Sequence, residues 1–505
     1  MSLKGYKAFI TMIILVLAAA FLAACDTTDT SDYYGPRILN TSPESGATNT
    51  PTGASISVQF SETVQADSIT TASFLVRELD GSLANISGTI SVGLNTAVFV
   101  PDSALAPLTT YLVTLLSSIT DEHLNYMSTS YTWFFTTGLS TDAFDTFSTA
   151  VTVLGQLDFT GSAAGASAAA LNAPGPGPFV YNGMLYVPDA ANNRVLGYMN
   201  VPAVNNAPAD FVLGQLDLVS AGAGNSPTEL RAPSSVYVDA DRTYVIDGGN
   251  NRVLIWNSVA VTNAPIANIA VGQPDLDENS AGCSAAMLNG PSAVWAAGGR
   301  LIVSDTQNNR VLVWNSIPAV SNTAADVVLG QGLMNSCAAR TPVGADTLNL
   351  PSGVWSDGAR LVVADYMNNR VLIWKNFPAV SNTPADIVLG QPDMTGSASY
   401  VSALDMKGPA GVSVSPDNML YVVDSGNSRV MAWNRVPSSS YTPADAVLGQ
   451  AAFYWSACND SNMDGMPDSP GASTLCDPSG VHAYGVGNLV VSDTGNNRAL
   501  IYNAP

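Results

Sequence analysis

Short apolar runs, separated by clusters of Gly, Pro, Asn and Ser, recur along the chain from residue 36 to its end. That is the pattern of many short strands joined by turns. Between residues 36 and 138 the runs alternate apolar with polar, as in 54–60 (ASISVQF), 96–100 (TAVFV), 111–115 (YLVTL) and 131–136 (YTWFFT). Such alternation predicts strands with one buried face, here a sandwich of about seven short strands. Residues 139–150 (LSTDAFDTFSTA) read as a linker.

Beyond the linker the sequence repeats itself. A Gly-Gln pair ends an apolar run at Gln156, Gln215, Gln273, Gln331, Gln391 and Gln450, in steps of 58 to 60 residues. A Pro opens an apolar run at Pro176, Pro233, Pro291, Pro351, Pro409 and Pro478. A third marker is an Asp and an Arg flanking a four-residue turn: Asp189 and Arg194, Asp247 and Arg252, Asp305 and Arg310, Asp365 and Arg370, Asp424 and Arg429, Asp493 and Arg498. Each repeat holds four apolar runs, shown best by 351–355, 360–364, 370–374 and 385–389. Four antiparallel strands per repeat is the make-up of a propeller blade. The first Gly-Gln run precedes every Pro run and none follows the last repeat, so the N-terminal strand is expected to complete the final blade and remove the open edges. The fold class predicted is all-β: a six-bladed β-propeller over 151–505, preceded by an Ig-like β-sandwich over 36–138.

Two resemblances accompany this reading. Residues 42–47 (SPESGA), 58–62 (VQFSE), 108–114 (LTTYLVT) and 133–138 (WFFTTG) resemble the SbsA-type bacterial Ig-like domain, which implies a spacer or adhesive role at a bacterial surface. The order Pro-x-Gly-Val, then a strand ending Val-Val-Asp, then Asn-Asn-Arg-Val-Leu resembles the NHL repeat. These units are longer than ordinary NHL repeats, each adding a loop of the type Leu-Gly-Gln-Pro-Asp and a linking segment of the type Pro-Ala-Val-Ser-Asn-Thr-Pro-Ala-Asp.

The first residues carry different information. Lys4 and Lys7 precede an apolar run over 8–20, too short for a comfortable membrane span. The run leads to Leu22-Ala23-Ala24-Cys25, which resembles the bacterial lipoprotein lipobox. That resemblance implies removal of a signal peptide (1–24), lipidation of Cys25 and a membrane partner reached through the lipid, with 25–35 as a polar tether. An exported lipoprotein of the cell envelope is the expected location, facing the periplasm or the cell surface. With 18 Lys and Arg against 40 Asp and Glu the net charge is −22, which argues against a nucleic-acid partner.

Few residues offer chemistry. The Asp and Arg markers are expected to be structural, each charge neutralised across its own turn. Trp256, Trp314, Trp374 and Trp433, with Tyr198 and Tyr502, stand four residues after each Arg and are expected to pack between blades. An insertion in the last repeat places Asp460, Asn462, Asp464 and Asp468 at loop positions 1, 3, 5 and 9, with Gly465 at 6 and the Met466 carbonyl at 7. That spacing suits a structural calcium, and it resembles the acidic calcium loops of dockerin and thrombospondin repeats. Gly471 stands at position 12 where a bidentate Glu is usual. Cys458 and Cys476 bracket the insertion and are expected to bridge. Cys283 and Cys337, in equivalent loops of neighbouring repeats, are a second expected pair. The chain has two His, and His123 lies outside the repeats, so a His-based zinc site such as that of NHL-like amidating lyases cannot be built. The functional expectation is a binding or scaffold module for a protein, peptide or glycan. The alternative is a metal-dependent hydrolase or lyase with its site at the channel mouth.

Overall fold

The computed structural model describes residues 34–503, apart from 51, 53–54, 80–84, 103–104, 139–146, 463 and 486. The expected signal peptide, Cys25, most of the tether and the first part of the linker lie outside the described residues. The chain divides into two compact units, one up to Ser140 and one from Thr141. No helix among the described residues is long and apolar enough to cross a membrane.

The first unit is a sandwich of eight strands: β1 (Ile38–Ser42), β2 (Ala47–Thr50), β3 (Ile56–Phe60), β4 (Phe74–Glu78), β5 (Gly88–Val92), β6 (Thr96–Pro101), β7 (Thr110–Leu115) and β8 (Tyr131–Thr137). They form two four-stranded sheets, β1-β3-β6-β5 and β2-β8-β7-β4. The strand beyond the expected seven reflects β2, whose Ala-Thr-Asn-Thr sequence has no apolar alternation and which pairs in parallel with β8. Elsewhere alternation does its work, as along β7, where Tyr111, Val113 and Leu115 are buried and their neighbours are not. Phe74, Phe99 and Trp133 meet in the core with ring centroids 5.8 and 6.4 Å from Phe74, and the buried Trp133 indole donates to the Pro43 carbonyl.

The second unit contains six four-stranded antiparallel sheets, one per repeat. In the fourth they are Pro351–Ser356, Leu361–Asp365, Arg370–Trp374 and Ile387–Leu389. Every residue of the two middle strands is buried, because both faces of the sheet are covered; hence the unbroken apolar runs where the sandwich alternates. The sixth sheet is completed by β9 (Thr152–Leu154), which pairs with Arg498–Asn503.

The repeated sequences explain how neighbouring sheets are tied. Between the second and third strands runs one 3-10 turn, followed by a residue in the left-handed region, such as Asn369 at φ 51°. Asn tolerates that conformation and its side chain is used twice. The Asn369 Oδ1 accepts the Gly408 amide at the start of the next sheet, and its Nδ2 donates to the Ser397 carbonyl. Asn193, Asn251 and Asn309 accept in the same way, and Asn497 accepts from Ala173, so the last sheet grips the first. Ser428 in the fifth copy, one atom short, reaches the Asp477 amide only at 3.4 Å.

Outer strands are covered too. The linking segments lay Asn205, Asn263, Ser321, Ser381 and Ser440 against the amides of Val153, Val212, Ala270, Val328 and Val388. A backbone amide from the same segments, as at Asn382, returns a bond to the same strand residue. For the fifth sheet that return bond comes from Phe147, whose amide donates to Val447 O. The linker residues 147–150 are therefore part of the packed repeat unit rather than a free connection, and Ala150 is buried within it.

Candidate functional site

The Asp and Arg markers are one site repeated six times. Asp365 and Arg370 are paired opposite each other across the hairpin, 2.8 Å apart, and both side chains are fully buried. The other five pairs lie at 2.6–2.7 Å with the same burial. Burial raises the Asp365 carboxyl pKa, and the guanidinium, the Asn349 amide and the Asn368 side chain oppose it. Arg370 also donates to the carbonyls of Met394, Gly344 and Thr347, so one side chain pins two loops against its sheet. These groups are fully enclosed. The tryptophans four residues on are buried as well, with the indoles of Trp256, Trp314, Trp374 and Trp433 donating to linking-segment carbonyls.

In the last-repeat insertion the chain curls about Asp460, which is 1% exposed and accepts the Asp464 and Gly465 amides. Asn462 accepts from Asp464, Asp464 from Met466, and Asp468 from Ser461 and Asn462. Among the described residues no group of three or more His, Cys, Asp or Glu side chains is disposed to hold a metal. The loop carries four of the oxygen-bearing side chains that the spacing singles out, spent here on the turns of the loop itself. Cys458 is bonded to Cys476 at its base, and Cys283 to Cys337 between neighbouring repeats.

A large cavity that several repeats share lies elsewhere. Its volume is about 610 Å3, and all six sheets reach it through their first strands or the turns that follow them. Phe179, Tyr237, Trp295, Trp355, His482 and Tyr484 form its walls; Asn182, Ser415, Asn418, Asp357 and Arg360 supply polar groups. On the far side of Phe179, Trp295 and His482 a second space of only about 30 Å3 continues between the same first strands. There glycine is required, since a Cβ on Gly480 would fall 2.0 Å from the Pro176 carbonyl oxygen and one on Gly353 2.7 Å from that of Ala410. The strands converge at that end, and an aromatic collar fills the axis above it.

Trp295 is the hub of the collar, with ring centroids 5.0 Å from Tyr237, 5.8 Å from Phe179 and 6.4 Å from both Trp355 and His482. Its indole donates to the Ser356 carbonyl of the next sheet at 2.7 Å, which fixes the ring across the axis. His482 packs on Phe179 at 4.3 Å. Burial drives its pKa down to about 4, against a hydrogen bond with the Val180 backbone that pulls the other way, so the imidazole is neutral at pH 7. Burial also raises the phenols of Tyr237 and Tyr484 to about 12, leaving both as neutral hydroxyls. At the rim Arg360 pairs with Asp357 at 2.8 Å and lies 5.6 Å above the Trp355 ring. Partial burial raises the Asp357 carboxyl, but the Arg360 amide and guanidinium and the Ala359 amide outweigh it and hold the pKa below the usual range.

None of these collar residues belongs to the sequence markers. Four of them, Tyr237, Trp295, Trp355 and His482, stand four residues after a Pro marker, a place that Val180 and Ser413 take in the other two repeats. Reading that column across the repeats is the signal that finds those four. His123, the other His, is exposed in a turn that Asp121 caps by accepting the His123 and Asn125 amides.

No curated protein matches the sequence. Among solved structures, a structural-genomics protein of unknown function from Bacteroides thetaiotaomicron is similar at 13% identity and TM-score 0.45, over 94% of this chain and 99% of that one. A catalytically inactive virginiamycin B lyase from Staphylococcus aureus with quinupristin aligns at 10% identity and TM-score 0.37, over 66% and 96%. A nidogen/laminin complex aligns at 15% identity and TM-score 0.34, over 64% and 89%. A bacterial Ig-like family and two disulfides fit a protein that works outside the cytoplasm. Eight strands in two facing sheets and a match over residues 32–137 make the first unit a bacterial Ig-like domain.

Proposed function

We propose that this chain is a cell-envelope lipoprotein in which an Ig-like spacer carries a six-bladed, NHL-like propeller, and that the propeller is a binding module for a protein, peptide or glycan. One observation carries the reading. A cavity of about 610 Å3, within the range of small-ligand sites, is built jointly by all six repeats and walled by aromatic side chains, while its charged pair is internally neutralised. The grip of Asn497 on Ala173 and the bond from Phe147 to Val447 support ring closure. The sequence around Cys25 supports the lipid anchor; labelled palmitate should enter the chain and fail to enter a Cys25→Ser variant.

The curled insertion supports a structural calcium held by Asp460, Asn462, Asp464, the Met466 carbonyl and Asp468. Elemental analysis after dialysis against metal-free buffer tests both proposals together. About one calcium per chain, lost in an Asp460→Ala/Asp464→Ala double variant, is the expected result. Zinc, iron, or a calcium that survives the double substitution would favour the alternative, a metal-dependent hydrolase or lyase with its site at the channel mouth.

A further inference from the structure

We infer that the aromatic pocket at the channel mouth takes a neutral saccharide, an assignment that rests on the binding-module reading and names its ligand class. Tyr237 and Trp295 are both partly exposed, with ring centroids 5.0 Å apart and planes inclined by 57°. Two inclined aromatic walls offer an apolar cradle that suits the C–H face of a pyranose ring. Polar groups stand beside them in the form that hydroxyls need. Arg360 uses only Nε on Asp357, and its two terminal nitrogens make no hydrogen bond among the described residues. Trp355 is 7% exposed, and it differs from the other buried tryptophans. Trp133, Trp256, Trp314, Trp374 and Trp433 all give their indole N–H to a carbonyl, whereas that of Trp355 has no acceptor among the described residues. That N–H is not one of the enclosed polar groups left without a partner, so it is open to water, and in the cavity that Trp355 lines a ligand hydroxyl can take the water's place.

Other ligand classes fit less well. A net charge of −22 and a rim whose one cation among the described lining residues is paired with Asp357 disfavour an anion. A peptide is commonly recognised along a free strand edge, and here the outer edges are covered by linking segments.

The test presents the full-length chain in detergent to an array of neutral and acidic oligosaccharides, then titrates the hits by calorimetry and tryptophan fluorescence. Arg360→Ala removes the rim donors, and Trp355→Phe removes the indole N–H while keeping a ring. Saturable binding of a neutral oligosaccharide, weakened about tenfold by each variant, is the expected result. An array with no saturable neutral hit, or hits that neither variant weakens, overturns the saccharide assignment. If peptide-library binders then depend on Arg360 and Trp355, the binding-module reading stands with another ligand. A bound saccharide that is cleaved would instead keep the ligand class and end the binding-module reading. Circular dichroism of both variants separates lost affinity from lost fold.

Discussion

The Ig-like unit and the repeat unit are both built of four-stranded sheets, yet they dispose of polar groups in opposite ways. In the sandwich, strands such as β7 turn alternate residues inward, and the core is apolar, centred on Phe74, Phe99 and Trp133. Its buried carboxylate, Asp121, is held by local amides in one turn. In the repeat unit whole strands are buried, leaving no solvent-facing side to carry polar groups. Every fully buried ion pair among the described residues is found there, one to a sheet. A fully enclosed sheet needs an internal donor for the carbonyls of its loops, and a buried Arg with several N–H groups meets that need where Lys could not.

Breaking one pin should therefore cost more than its bond to Asp. Arg370→Ala strands Asp365 and three loop carbonyls, and is expected to destabilise the repeat unit by about 3–5 kcal/mol. Calorimetry of the whole chain should show that loss in one transition, with the sandwich transition unmoved. Trp133→Ala is the converse experiment. It opens a cavity and frees the Pro43 carbonyl, at about 3–5 kcal/mol, and should move only the sandwich transition. A shift of both transitions by either variant would contradict the separation of the two units.

The same contrast explains what could be read in advance. The Asp, Asn and Arg columns are legible because each does one geometric job six times, so identity recurs with the period. Four of the sandwich strands announce themselves by alternation; β2 does not, because its pairing with β8 is made by backbone and its sequence is small and polar. The collar escaped for a different reason. Val180, Tyr237, Trp295, Trp355 and His482 share a repeat position but not one residue type, and only the cavity that they line together reveals them. Sequence periodicity marks what every sheet needs for itself, whereas a shared pocket is built from the ways in which the sheets differ.

His482 gives an intermediate test that reads the collar rather than the pins. Its folded pKa of about 4 lies below the ordinary 6.5, so between those values the unfolded chain holds a proton that the folded chain excludes. Stability contributed by the neutral imidazole is full above pH 6.5, falls as the pH drops, and is gone below about 4; the loss is at most about 3 kcal/mol. Urea unfolding at pH 7 and pH 4.5 should show a smaller pH difference in His482→Phe than in the parent chain, since other acids titrate equally in both. Equal differences would mean that the imidazole is already protonated or already wet in the folded protein.

The smallest expected effect comes from a pair that looks, bond for bond, like the largest. Arg360 and Asp357 lie 2.8 Å apart, as do Arg370 and Asp365 in the same repeat. The side chains of the first pair are 30% and 33% exposed, those of the second fully buried. Water screens the exposed pair and rehydrates whichever partner is left behind, so Arg360→Ala should cost about 0–1 kcal/mol of stability. Asp365 is fully buried and has no such access to bulk water when its guanidinium is removed. Measured side by side by urea unfolding, the two Arg→Ala variants should differ severalfold although they delete the same group at the same distance. If Arg360→Ala proved as damaging as Arg370→Ala, the rim pair would be part of the scaffold, and its place beside an open aromatic pocket would have to be explained by folding rather than by what the pocket holds.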